Sequence, residues 1–115
     1  MKSTTALLEF WEDQMKKSHT SSNYFFRKSP SHYHMMLLIM AHYKHNKTIT
    51  VEQLKTRLFK TSRPKSALMI TEACEKGFFF LEKTNEDQRK KHIKPSDSFV
   101  AEFNDYLETL KNLRF

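Results

Sequence analysis

The fold is decided by residues 50–77, which read TVEQLKTRLFKTSRPKSALMITEACEKG. Thr50, followed three positions later by Gln53, has the form of a capping box, in which each residue bonds the backbone of the other at a helix N-terminus. The pattern therefore predicts a short helix from Thr50 to about Phe59.

A second helix follows this one after a tight turn. Lys60 and Thr61 form the turn, and Ser62 is a suitable N-cap for the helix that begins after it. Gly77 ends that helix, because a left-handed C-terminal cap favours a residue without a side chain. Its inward face is predicted to be Ala67, Leu68, Ile70, Ala73 and Cys74.

A β-hairpin is expected after the second helix. Residues 78–81 read FFFL, an apolar run that is too short for a helix and follows a glycine. Residues 84–88 have turn chemistry, and residues 90–94 return as the second strand with Ile93 inward, until Pro95 stops it.

Two helical regions are expected upstream. Residues 4–26 begin as a helix with an apolar stripe at three- and four-residue spacing, formed by Leu7, Leu8, Phe10, Trp11 and Met15. Ser29 and Pro30 give a capping hydroxyl and a proline at the first helical position. The segment 35–41 reads MMLLIMA, which predicts a central helix buried on every face.

The last helix is expected to begin at a cap formed by Asp97 or Ser98. Its apolar residues step by 4, 3, 4 and 3, which is the spacing of a coiled-coil seam, and they are Phe99, Phe103, Tyr106, Leu110 and Leu113. The predicted fold is mostly α with a small β-hairpin wing, that is, a winged helix-turn-helix with helices at both ends. We expect a helical arm over 1–28, a DNA-binding domain over 29–96 and a C-terminal helix over 97–115.

Over roughly residues 30–96 the sequence resembles the MarR family of transcriptional regulators. The resemblance is carried by the order and spacing of four segments: TVEQL at 50–54, SRPKS at 62–66, EKGF at 75–78 and EDQRKKHI at 86–93. In that family a similar E-K-G and a D-x-R wing occur in this order. The resemblance implies a DNA-binding regulator that acts as a homodimer.

Positive charge is concentrated where these segments lie. Residues 29–96 hold thirteen Lys and Arg against six Asp and Glu, whereas residues 1–28 and 97–115 carry +2 and −2. The +7 of the chain therefore resides in its middle, as a footprint for a polyanion would, although a solubilising surface would give the same sum.

Two groups of residues are expected to contact double-stranded DNA. A recognition helix enters the major groove with its N-terminal residues leading, and these are Ser62, Arg63, Lys65 and Ser66, with Lys60 in the turn before them. At the wing, Arg89 is expected to enter the minor groove with Asp87 orienting its guanidinium, while Lys90 and Lys91 hold the phosphates. An ordinary solvated surface is the alternative for both groups.

The two end helices are expected to form the dimer interface, so that two copies read a palindrome. The residues assigned to it are Leu7, Leu8, Trp11, Phe99, Phe103, Tyr106, Leu110 and Leu113. Alternatively, the aromatic side chains among them pack only on their own domain.

Other functional classes find little support in the sequence. It has one cysteine and one glycine, which excludes internal disulfides, multi-cysteine zinc fingers and phosphate-cradling loops. No catalytic arrangement stands out, so we expect neither enzyme activity nor a cofactor, and no small-molecule effector is identified. The six histidines and Cys74 are not expected to form a metal site or a redox sensor. No membrane span or signal peptide is recognised, so a cytoplasmic protein is expected.

A winged-helix module for protein or non-specific nucleic-acid contact is the alternative function, and it predicts apolar or aromatic side chains on the recognition face.

Overall fold

A computed structural model describes residues 2–17, 21–83 and 90–113. In chain order, the elements are α1 (Lys2–Met15), α2 (Ser22–Phe26), α3 (Pro30–Lys44), β1 (Ile49–Thr50), α4 (Val51–Arg57), α5 (Arg63–Glu75), β2 (Phe79–Lys83), β3 (Lys91–Pro95) and α6 (Asp97–Lys111). This mostly helical chain with one small sheet confirms the predicted fold class. None of the described helices combines the length and the apolar character that crossing a bilayer requires.

Serine and threonine caps set the start of most helices. Ser29, Thr50 and Ser62 each accept a hydrogen bond from a backbone N–H in the first turn, and at Thr50 both halves of the predicted capping box are present. The cap of α6 is Ser96, whose hydroxyl accepts from the N–H of Phe99 at 3.2 Å. The expectation of Asp97 or Ser98 was therefore wrong by one or two residues.

Gly77 ends α5 as expected. Its φ is +80°, and its N–H donates to the carbonyl of Cys74, while the N–H of Phe78 donates to the carbonyl of Ala73, both at 3.0 Å. These two bonds form a Schellman motif, which requires a residue in the left-handed region. The motif turns the chain directly from α5 into β2.

The sheet has one strand more than the sequence predicted. Its order is β1-β3-β2 and both pairings are antiparallel, with Ile49 opposite Ile93 and Leu81 opposite Ile93 on the other side. β1 has only two residues, which is too short for an alternating pattern to reveal. It holds the start of α4 against the base of the wing.

The core is built around α3 and a set of aromatic rings. Met35, Ile39 and Met40 are buried to 1% exposure or less, whereas Leu37 is 44% exposed, so burial of this helix on every face was too broad a prediction. On α5 the inward position next to Ala73 is taken by Met69 rather than by the predicted Leu68, which is 58% exposed.

The two end helices, both predicted to be dimer arms, differ in how far their apolar residues are buried. Residues 4–26 were expected to begin as a helix, and in the structure residues 4–15 lie in α1, while residues 22–26 form the separate short helix α2. On α6, Phe99 and Phe103 are 1% and 6% exposed and belong to the core of their own chain. Their assignment to a dimer interface is therefore wrong, because their side chains are already covered.

Candidate nucleic-acid interface

The first turn of α5 presents charged side chains to solvent. Ser62 accepts the backbone N–H of Lys65 at 3.2 Å and so fixes the start of the helix. Pro64 lies in the first turn, where its missing N–H costs no helix hydrogen bond. Arg63 and Lys65 are exposed on this turn, at the end of the helix that a major groove would receive.

Ser66 does not belong to this exposed set. It is fully buried, and its hydroxyl donates to the carbonyl of Ser62 at 2.9 Å. Both facts place the side chain between α5 and the core, one turn after the cap. The prediction that Ser66 contacts DNA was therefore wrong. The prediction that Ser62 caps this helix is confirmed.

The turn between α4 and α5 is fixed by local hydrogen bonds. Lys60 has a φ of +53° and an exposed side chain, and Thr61 donates to the carbonyl of Phe59 at 2.9 Å. The Thr61 hydroxyl also lies 2.7 Å from that of Ser31 at the start of α3. The turn is thereby tied to the rest of the domain, and Lys60 lies beside the exposed end of α5.

An acidic residue contacts the leading arginine. Nη2 of Arg63 donates to Oε2 of Glu52, which lies in the first turn of α4. Oε1 of the same carboxylate lies 3.5 Å from Nζ of Lys55. The hydrogen bond from Arg63 lowers the pKa of Glu52 below its ordinary value, with Lys55 adding to the effect, so this carboxylate is charged at neutral pH.

The base of the wing lies beside the same carboxylate. Lys90 and Lys91 are exposed, and they face α4 across a groove of about 530 Å³ whose lining also includes Glu52 and Lys55. Further along β3, Nζ of Lys94 forms a salt bridge with Oε2 of Glu82 on β2 at 3.2 Å. The structure therefore brings the base of the wing next to the helix-turn-helix.

The two residues predicted at the wing tip, Asp87 and Arg89, lie outside the described residues. The minor-groove contact assigned to them remains a prediction.

The histidines and the cysteine have structural surroundings. Among the described residues, no three His, Cys, Asp or Glu side chains come together in a way that would hold a metal ion. His42 contacts the carbonyl of Leu38 through Nδ1 at 2.7 Å, and His34 stacks on the ring of Phe59. Burial raises the pKa of the Cys74 thiol, which is opposite to the shift that a reactive thiolate requires.

Glu52 is the site residue that sequence reasoning missed. It lies three residues before the segment from Lys55 to Lys65, which holds five basic residues and no acid. Acidic residues are common in the first turn of a helix, because the helix dipole stabilises negative charge there. This explanation of Glu52 needs no contact with DNA or with Arg63. The pairing with Arg63, eleven residues later, depends on the angle between α4 and α5, which no local pattern reports.

These elements define a winged helix-turn-helix protein: two helices joined by a turn, followed by a hairpin and completed by a third strand. No protein-family model and no curated protein matches the sequence. Solved structures do match. S. aureus MepR, in a complex with DNA, has a TM-score of 0.60 at 16% identity, over 92% of this chain and 86% of that one.

Two further structures have the same arrangement. The heme sensor PefR from Streptococcus agalactiae, in complex with heme, has a TM-score of 0.58 at 17% identity, over 93% of this chain and 69% of that one. The transcriptional regulator PA4135 has a TM-score of 0.54 at 17% identity, over 94% and 75%. The chain therefore has a MarR-like winged-helix fold, as the sequence resemblance implied.

Proposed function

We propose that this protein binds double-stranded DNA in a sequence-specific manner and regulates transcription as a homodimer. The observation that carries the proposal is the exposed basic first turn of α5, which carries Arg63 and Lys65, in a domain whose wing base brings Lys90 and Lys91 next to α4. Binding rather than catalysis is the proposed activity.

Each charged group has a role that follows from its chemistry. The guanidinium of Arg63 has a planar fork of donors that matches the O6 and N7 acceptors of guanine, and Lys65 can reach a guanine edge or a phosphate. Lys60, Lys90 and Lys91 are exposed and suit phosphate contacts, which position a protein without reading sequence. Ser62 caps α5 and can approach a phosphate at the same helix end. We assign Arg89 to the minor groove and Asp87 to its orientation, on the sequence alone.

The fold neighbours support this assignment. MepR was solved in a complex with DNA, and PA4135 is described as a transcriptional regulator. Their shared architecture makes duplex DNA the first ligand to test.

The test is a titration of a random-sequence duplex and of a duplex selected by the protein from a randomised pool. Affinity should fall steeply with salt, because about 0.9 counterion is released for each phosphate contacted. Affinity for duplex DNA that is absent, or that stays flat between low and moderate salt, would refute the proposal.

Single substitutions separate base reading from phosphate contact. Loss of a base contact in Arg63→Ala or Lys65→Ala should weaken binding to the selected duplex by about 1–3 kcal/mol, and binding to random duplex by less. The matched control is Lys76→Ala, which removes the same charge from the opposite end of the helix, at its C-cap. Equal losses on both duplexes would reduce Arg63 and Lys65 to phosphate contacts.

The homodimer part of the proposal is supported by the exposed apolar face of α1. Leu7, Leu8, Trp11 and Met15 are each about half exposed, and only Phe10 and Gln14 of this helix are buried. An apolar cavity of about 570 Å³ opens between α1 and α3, with Trp11 and Leu37 among its lining residues. A second copy of the chain would cover this surface, and Leu110 and Leu113 near the end of α6 would extend it.

Such a dimer would place two recognition helices about one helical turn of DNA apart, on half-sites separated by ~10 base pairs. In this arrangement, residues 1–28 remain the dimerisation arm and residues 29–96 the DNA-binding domain, with the first half of α6 closing the core. Sedimentation at micromolar concentration checks the oligomeric state directly. A monomer that binds a palindrome tightly would exclude the dimer.

Contact with single strands or proteins is a second candidate, favoured by Phe59. This side chain is 77% exposed in the turn before α5 and stacks on His34, with ring centroids 5.2 Å apart. Bases stack on exposed aromatic rings of this kind. If Phe59→Ser weakened single-strand binding and left duplex binding unchanged, this second activity would be supported.

A further inference from the structure

We infer that Glu52 is a specificity-determining residue, which biases Arg63 toward neutral base-edge acceptors and away from phosphates. The inference rests on the proposed function, because it concerns how Arg63 chooses between two parts of the same DNA. It assigns a role to an acidic side chain within a surface that is otherwise basic.

The geometry engages both oxygens of the carboxylate. Oε2 accepts from Nη2 of Arg63, and Oε1 lies 3.5 Å from Nζ of Lys55. The side chains of Glu52 and Arg63 are 64% and 62% exposed, so their pair contributes little to folding stability. Its consequence is instead local, because the contact favours a placement of the Arg63 guanidinium next to the carboxylate at the front of α5.

The carboxylate distinguishes the two kinds of acceptor by charge. A guanidinium has five N–H donors, so the bond from one nitrogen to Glu52 leaves others for a second acceptor. The O6 and N7 atoms of guanine are neutral and can approach next to a carboxylate. A phosphate is an anion, and like charges placed side by side at an interface are repelled. Glu52 thus tolerates a base edge at Arg63 and opposes a phosphate there.

The position of Glu52 extends this effect to the wing. Its side chain lines the groove between α4 and the wing base, together with Lys55, Lys90 and Lys91. A DNA backbone held by those lysines would pass close to the carboxylate. The repulsion is strongest in complexes in which Arg63 contacts a phosphate, whereas at the correct site a bidentate guanine contact takes the place of that phosphate, which is how an unfavourable interaction produces specificity.

The experiment compares Glu52→Gln with the native chain on the random-sequence duplex and on the duplex selected from the randomised pool. Glutamine keeps the size of the side chain and removes its charge. Affinity for the random duplex should rise about 5-fold at low salt, while affinity for the selected duplex changes less, so the ratio of the two affinities falls. The gain should shrink at higher salt, because the groups are exposed and screened.

The matched control is Glu75→Gln, which changes the net charge equally at the far end of α5. Glu75 lies twelve positions after Arg63, which is about 18 Å along the helix axis and beyond the screening length of about 8–10 Å at physiological salt. In an Arg63→Gln background, the effect of Glu52→Gln on the affinity ratio should disappear.

Three results would overturn the inference: an unchanged affinity ratio, a gain no larger than that of Glu75→Gln, or the same gain in the Arg63→Gln background. Each leaves the proposed function intact, provided that the native chain binds duplex DNA with a steep salt dependence. If neither the native chain nor Glu52→Gln binds duplex DNA, or if the selection returns no preferred sequence, the proposed function fails and the inference fails with it.

Discussion

Helices α1 and α6 have similar sequence patterns and different surroundings. Both carry apolar residues at three- and four-residue spacing, and both were predicted to be dimer arms. On α6, Phe99 is surrounded by the rings of Phe26, Phe79 and Phe103, with centroids 5.2, 5.5 and 6.1 Å away. On α1, by contrast, most of the apolar stripe faces outward.

The difference shows what periodicity reports. An apolar stripe indicates that a helix has a face to bury, but not whether the covering surface comes from the same chain or from another. In α6 the covering surface is the domain's own aromatic cluster. In α1 the half-exposed Leu8 and Trp11 have no such cover, so this helix is the better candidate for an interface with a second copy.

The largest expected effect tests the buried side of the comparison. Phe99→Ala should lower the free energy of unfolding by about 3–5 kcal/mol, because it empties the centre of the aromatic cluster. Urea unfolding measures this change, with Leu68→Ala as the control. Leu68 is 58% exposed, so its loss should change the free energy by less than about 0.5 kcal/mol. If both variants lost equally little, Phe99 would not be a core residue.

The next expected effect tests the exposed side. The double substitution Leu8→Glu, Trp11→Glu should convert a dimer into a folded monomer, because four charges cannot be buried together across a two-fold interface. Sedimentation gives the mass, and circular dichroism reports whether the helices remain. Leu68→Glu is the control, since it adds the same chemistry to an exposed leucine outside the proposed interface. A double variant that stays dimeric would show that α1 is not the arm.

Local signals in the sequence predicted much of this fold. The capping box at Thr50, the serine–proline start at Ser29 and the glycine at 77 each act within a few residues, so a linear pattern contains them. Ser66 and Leu68 were misassigned because the inward face of α5 is set by its rotation against the core. Its apolar residues do not form one stripe that would reveal that rotation.

The candidate site was less predictable than the fold. Exposure of Arg63 and Lys65 follows from their place in the first turn of a capped helix. The contact between Glu52 and Arg63 depends on how two helices cross, and the proximity of Lys90 and Lys91 to α4 depends on the pairing of β1 with β3. Contacts between elements of this kind are properties of the packing, not of a local motif.

A smaller effect sharpens the account of how α6 is fixed to the domain. Ser96→Ala should cost about 0.5–2 kcal/mol of unfolding free energy, because it removes the hydroxyl that accepts the N–H of Phe99. Ser98→Ala is the matched control two residues later, inside the first turn, and should cost much less. Urea unfolding of the two variants in parallel measures the difference. A larger loss at Ser98 would restore the original assignment of the cap.

The smallest expected effect concerns the hydrogen bond that joins α6 to α3. The hydroxyls of Tyr33 and Tyr106 lie 2.7 Å apart, so Tyr106→Phe should cost about 0.5–1.5 kcal/mol near neutral pH.

Burial, and then the bond to Tyr33, raise the pKa of Tyr106 above its ordinary value. The unfolded chain therefore releases this proton near pH ~10, while the native chain retains it, and native stability falls as pH rises through that value. Unfolding free energies measured between about pH 8 and about pH 11 should show this alkaline loss, and Tyr106→Phe should reduce it. Tyr43→Phe, at an exposed tyrosine of α3, is the control. If the alkaline loss were the same in Tyr106→Phe as in the native chain, the hydroxyl pair would not be what links α6 to the core.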